Sequence, residues 1–318
     1  MMKSLEEILP IRHPLIIAPM FLVSNVEMIK EGMEMGVAGC IPALNYRSIE
    51  ELIAAIHELK AAKTPNGAFG FNLIVNKSNI KYKSQLEAIC AHGADFIITS
   101  LGSPEETIKM AHQHGIKVFC DVTNVEYAKK VEKLGADALI AVNNTAGGHR
   151  GNMAPEHIIS ALKKECQIPV ISAGGVGNYD QFQYIMSLGA AGISVGSPFI
   201  ASLESNVSEE YKNACVDYGK NDIVMTEKIS GTPCTVINTP YVQKIGTKTS
   251  TLEKFLNKNK KLKKYIKLLR FVKGNNAVTK AATQATYKTV WVAGPSIEET
   301  KEIQSVKEIL QRILFPGK

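Results

Sequence analysis

Between Leu15 and Ser197 the chain alternates short, continuous apolar runs with longer stretches in which apolar residues recur every three or four positions. The short runs are Leu15 to Met20, Val37 to Ala43, Ala68 to Val75, Phe96 to Leu101, Lys117 to Val122, Ala138 to Asn143, Pro169 to Gly175 and Gly192 to Ser197. Each reads as a strand, and each intervening stretch as an amphipathic helix. Strands that are apolar along their whole length and joined by helices predict a parallel sheet covered by a helical layer. Three helices end in a related phrase, His92-Gly-Ala-Asp-Phe96, Leu134-Gly-Ala-Asp-Ala138 and Leu188-Gly-Ala-Ala-Gly192. Glycine there suits the left-handed position that stops a helix. The glycine-rich turns gather on units six, seven and eight, whereas an open doubly wound sheet would carry its own on the first. The pattern therefore predicts a closed (β/α)8 TIM barrel.

Beyond the eighth strand the alternation fades. The segment 205–286 includes a lysine-rich stretch, 254–273, with Leu and Ile spaced among the charges, and predicts a helical insertion or lid over the barrel mouth. The chain returns through Val290-Trp-Val-Ala-Gly294-Pro-Ser296 and closes on a helix from Ser296 to Leu314. The expected division is a ligand-binding barrel over 1–204 plus 287–318, with 205–286 inserted.

Composition narrows the function. At 318 residues and 45% hydrophobic content the chain can bury one large core. No apolar run reaches membrane-spanning length, and the first residues lack the pattern of a secretory leader. Six scattered cysteines without a C-x-x-C pair read as buried, reduced thiols, pointing to a cytoplasmic protein. The net charge of +7 is concentrated in 254–273, so a nucleic-acid footprint is absent from the barrel. No metal-ligand spacing, nucleotide-binding P-loop or serine elbow occurs, and no metal is expected.

In a barrel the C-terminal strand ends form one rim. That rim gathers Met20, Asn72, Ser100, Asp121, His149, Gly175 and Ser197. Backbone N–H groups at Ala173-Gly174-Gly175 and Val195-Gly196-Ser197 suit a phosphate dianion, although tight packing by small residues would also account for either loop alone. His149, flanked by Gly147, Gly148 and Gly151, is the histidine best placed for proton transfer. His57, His92, His112 and His114 fall on the outer helices, His13 at the barrel bottom and His157 at a helix start.

The run Ala146-Gly-Gly-His-Arg-Gly151, followed at matching intervals by Ala173-Gly-Gly175 and Leu188-Gly-Ala-Ala-Gly-Ile-Ser-Val-Gly-Ser197, resembles the nitronate monooxygenases and the related flavin-containing enoyl-acyl-carrier-protein reductases. Weaker matches are Phe69-Gly-Phe-Asn72-Leu and Ile229-Ser-Gly-Thr-Pro233, and the likeness extends from Ala18-Pro19-Met20 to Gly294. The resemblance implies an FMN site formed by Asn72, Gly147, Gly148, Gly174, Gly175, Ser194, Val195, Gly196 and Ser197, with Ala18, Pro19 and Met20 beside the ring. It implies His149 as the base or hydrogen-bonding group, with a small-molecule nitronate and O2 as reactants. The reductase alternative implies NAD(P)H and an enoyl thioester or quinone; a barrel that binds without catalysing is the third reading. Arg150 favours the monooxygenase phrase. Thr145 and Val142 stand where the family often has glutamate and glutamine, and Ser194 and Ser197 replace a common glutamine and threonine. A homo-oligomer is compatible with this pattern, and neither nucleic acid nor membrane is an expected partner.

Overall fold

A computed structural model describes residues 2–76, 78–227, 233–248 and 290–317. Eight parallel strands close into a barrel in chain order. They are β1 Leu15–Ile17, β2 Ala38–Pro42, β3 Ala68–Ile74, β4 Phe96–Ser100, β5 Lys117–Val122, β6 Ala138–Val142, β7 Val170–Ala173 and β8 Gly192–Val195. Closure is made by β1 against β8, with Leu15 opposite Ile193, Ile16 opposite Ser194 and Ile17 opposite Val195. The expected (β/α)8 barrel is the observed fold.

Because side chains alternate along a strand, each strand sends one set inward and one set outward. The inward set, including Ile16, Cys40, Phe96, Ile98, Phe119, Ile140 and Ile171, packs into a barrel core. Leu5, Leu9 and Ile11 join that core, and Leu5 N–H donates to Ala191 O at 2.9 Å, beside the start of β8. The outward set joins the apolar faces of the helices in a larger shell. Helix entries are fixed locally. Asn25, Asn124 and Asn178 accept backbone N–H bonds at the starts of α1 Val26–Glu34, α5 Val125–Lys133 and α7 Tyr179–Ser187. At the repeated helix-ending phrase, Gly93, Gly135 and Gly189 all take positive φ.

Most strands stop short of the ends predicted from apolar runs. β1 ends at Ile17 instead of Met20 because the chain there turns into the mouth: the Ser24 hydroxyl donates to Ala18 O and accepts from Met20 N–H, both at 2.9 Å. β7 likewise ends before Gly174 and Gly175, which take positive φ.

The segment after β8 is helical in part, as expected, with α8 Glu209–Asp217 and α9 Pro240–Ile245. It also holds a two-stranded antiparallel ribbon that the sequence reading omitted, β9 Ile223–Thr226 against β10 Cys234–Ile237. The lysine-rich stretch 254–273 and the motif residues 229–232 lie outside the described residues. The predicted terminal helix starts later than Ser296. A short 3-10 turn covers Pro295–Glu299, and the α-helix begins at Val306, where Ser305 forms a capping box with Glu308, and runs to Leu314. This helix packs against both α7 and α1, completing the outer ring, and buries Val306, Ile309, Leu310, Ile313 and Leu314. Among the described residues, no helix is long and apolar enough to cross a membrane.

Candidate active site

A cavity of about 610 Å³ opens at the C-terminal ends of the strands. That is within the usual range for small-ligand and cofactor sites, about 300–1,000 Å³. Every residue assigned from the sequence to ligand binding or proton transfer lines it: Ala18, Pro19, Met20, Asn72, Gly147, Gly148, His149, Gly174, Gly175, Ser194, Val195, Gly196 and Ser197. Ser100 and Asp121, placed on the rim without a role, line it too, as do Val292 and Ser296 from the returning chain.

The His149 loop is held on two sides. Thr235 on β10 donates its N–H to Gly148 O at 2.8 Å and accepts Gly148 N–H on its hydroxyl at 2.8 Å. On the barrel side, the buried Asn143 amide organises the turn. Its oxygen accepts from Thr145 N–H at 2.8 Å and from the Thr145 hydroxyl at 2.6 Å, while its nitrogen donates to Ser172 Oγ at 3.3 Å and Gly174 O at 3.1 Å. Thr145 thus spends its polar group on the loop itself. The His149 ring is accessible from the mouth, but the walls around it displace bulk water, and this desolvation lowers its pKa below the ordinary histidine value.

The glycines have geometric reasons. A Cβ on Gly174 would stand 2.4 Å from Ala146 N, and its φ of +109° is one that side chains rarely adopt. At Gly147 a Cβ would lie 2.7 Å from Ser197 Oγ and 3.0 Å from Gly294 N, so the His149 loop and the returning chain cross in near contact. Ser197 Oγ accepts Gly294 N–H at 2.9 Å, leaving its own proton to donate. Gly174, Gly175 and Gly196 donate no backbone N–H to a protein acceptor among the described residues. A ridge of N–H donors beside an apolar-walled cavity fits a ligand with a flat ring and an anionic tail. Opposite it, β3, β4 and β5 contribute Asn72, Ser100 and Asp121, with Ser100 Oγ donating to Asp121 Oδ2 at 2.5 Å.

Asn143 and Thr235 were not assigned from sequence. Asn143 gave a weak signal, as a polar residue ending an apolar strand. Thr235 gave none, because it belongs to the unforeseen ribbon. Among the described residues no group of three or more histidine, cysteine, aspartate or glutamate side chains is placed to hold a metal ion.

A (β/α)8 barrel with a glycine-lined cavity and an accessible, neutral histidine on one rim defines a barrel enzyme with a ligand-binding mouth. The family model for nitronate monooxygenase matches residues 2–315, and the chain belongs to that family of oxidoreductases. A (3aS,4S,5R,7aS)-5-hydroxy-7a-methyl-1-oxo-octahydro-1H-indene-4-carboxyl-CoA dehydrogenase from Rhodococcus jostii (strain RHA1) is 25% identical over 244 residues, covering 76% of this chain and 67% of that protein. A probable nitronate monooxygenase from Staphylococcus aureus (strain MSSA476) is 26% identical over 290 residues, covering 77% and 80% respectively. The structure of FabK from Thermotoga maritima superposes with a TM-score of 0.83 at 26% identity, covering 98% of this chain and 95% of that one.

Proposed function

We propose that the protein is an FMN-dependent nitronate monooxygenase that oxidises alkyl nitronates, such as propionate 3-nitronate, with O2. The observation that carries this reading is the pairing, in one cavity, of an accessible histidine kept neutral by its surroundings with a separate ridge of unspent backbone N–H groups. Gly174, Gly175, Gly196 and Ser197 would hold the FMN phosphate, and Ala18, Pro19, Met20, Asn72 and Val195 would flank the ring. Gly147, Gly148 and Ser194 complete that set. Bound there, FMN supplies the electron acceptor, with O2 as final oxidant.

The chain's own groups do the rest. Neutral His149 can take the α-proton of a nitroalkane or hydrogen-bond a nitronate oxygen. Arg150 lines the same cavity and gives the mouth a positive charge that suits an anionic substrate. On the same reading 1–204 plus 287–318 forms the catalytic barrel, and 205–286 is a lid whose β10 steadies the histidine loop.

A second reading, an NAD(P)H-dependent flavin reductase of the enoyl-acyl-carrier-protein or quinone type, is favoured by the apolar wall of Phe21, Leu44, Ile74 and Leu101, which suits an acyl chain. Anaerobic absorbance titration separates the two. A flavin spectrum reduced by propionate 3-nitronate and indifferent to NADH is the expected outcome; bleaching by NADH alone would transfer the assignment to the reductases.

A further inference from the structure

Asn72, Ser100 and Asp121 sit at the C-terminal ends of three adjacent strands, and the alternation that sends Phe96, Ile98 and Phe119 into the barrel core sends Ser100 and Asp121 inward as well. Their hydrogen bonds run one way. Ser100 donates its proton to Asp121 Oδ2 at 2.5 Å, so Ser100 Oγ accepts from Asn72 Nδ2 at 2.8 Å. The same Asn72 nitrogen donates to Ile98 O at 3.1 Å. Both amide protons are therefore used, which fixes the amide, and among the described residues no donor reaches Asn72 Oδ1. Asp121 Oδ1 also lacks a donor among the described residues. Both residues line the cavity, which thus meets two free acceptors on the side opposite the glycine ridge.

Among the described residues, no cation answers the carboxyl. The titratable groups that feel its charge are Cys40 on β2, Cys120 on its own strand and Tyr127 on α5, all pushed up and held neutral by burial. His149 and Arg150 line the cavity from the β6 loop, but neither shifts the ionisation of Asp121. Desolvation raises the Asp121 pKa to about 6, against a partly compensating bond from Ser100. In such surroundings a second negative charge in the cavity is opposed more strongly than it would be in water.

Resting on the flavin reading above, we infer that Asp121 is a positioning carboxyl that sets the flavin reduction potential, holding or releasing one proton to decide how much negative charge the cavity tolerates on reduction. When a two-electron reductant such as dithionite delivers its electrons, an Asp121 that was ionised beforehand takes up one proton from solvent, in addition to the proton that accompanies flavin reduction itself, whereas a protonated Asp121 takes up none. Ser100 and Asn72 hold that carboxyl in place.

The test is the potential of the FMN holoenzyme against pH, by dithionite titration with an indicator dye, in wild type and Asp121→Asn. Below about pH 6 the two curves run together, because Asp121 is already protonated there. Above it the wild-type potential falls more steeply, until the variant favours reduced flavin at least tenfold more, ~30 mV for a two-electron couple. Curves that stay parallel from pH 5 to 9 overturn the inference. The slope change in wild type alone is a second readout, independent of how the variant folds; its absence also overturns the inference. Wild type that takes up no FMN removes the cofactor reading itself, a different failure.

Discussion

A neutral imidazole can accept a proton and a charged one cannot, so the environment of His149 matters as much as its position. The walls of the mouth depress its pKa, which keeps the ring neutral at physiological pH. Turnover that needs the neutral ring is therefore retained as pH falls toward the ordinary histidine range and is lost only below it. In His149→Ala, the yellow holoprotein should survive while kcat falls by about 10²- to 10⁴-fold, the usual contribution of a positioned acid or base. Stopped-flow and steady-state assays with flavin content measured alongside check this; full activity in the variant would remove His149 from the mechanism. Its place on the rim was legible in the glycine-flanked phrase. The Asn72-Ser100-Asp121 chain was not, because it depends on strand register: Asn72 stands opposite Ile98 and Ile74 opposite Ser100, pairings that no local pattern states.

At the scale of elements, the barrel was readable because each strand and helix announces itself by its own periodicity, and closure follows from their number. The ribbon β9–β10 was not, since two four-residue strands in a segment without alternation offer no period to detect. Yet β10 shapes the site, for Thr235 grips Gly148. The β7 turn is equally specific in its demands. Gly174→Ala places a methyl group against Ala146 and forces an unfavourable φ, at a strain cost of about 1–3 kcal/mol. Since about 1.4 kcal/mol is tenfold in affinity, a cost borne by the bound state should raise the Kd for FMN about fivefold or more. Fluorescence quenching titration measures this, and an unchanged Kd would mean that the β7 turn does not hold the phosphate.

For the molecule as a whole, the C-terminal helix joins the two ends of the outer ring. Leu310 is fully buried on its inner face, and Leu310→Ala should cost about 2–5 kcal/mol by denaturant unfolding. Because the chain just before this helix also supplies cavity wall, FMN release and loss of helical signal should occur in one transition and shift together in the variant. FMN leaving well before the helical signal would show that the ring and the cavity are independent units.

The crossing of Gly147 with Gly294, and the bond from Gly294 N–H to Ser197, have a further meaning for synthesis on the ribosome. The cavity is walled by residues from Ala18 to Ser296. All eight strands emerge before the last of that wall does, so a nascent chain can lay down its sheet while the mouth still lacks Val290, Val292 and Ser296. A ribosome stalled ahead of Val290 would therefore display a barrel whose mouth is open on that one side, with Gly147 and Ser197 still lacking the Gly294 that crosses them.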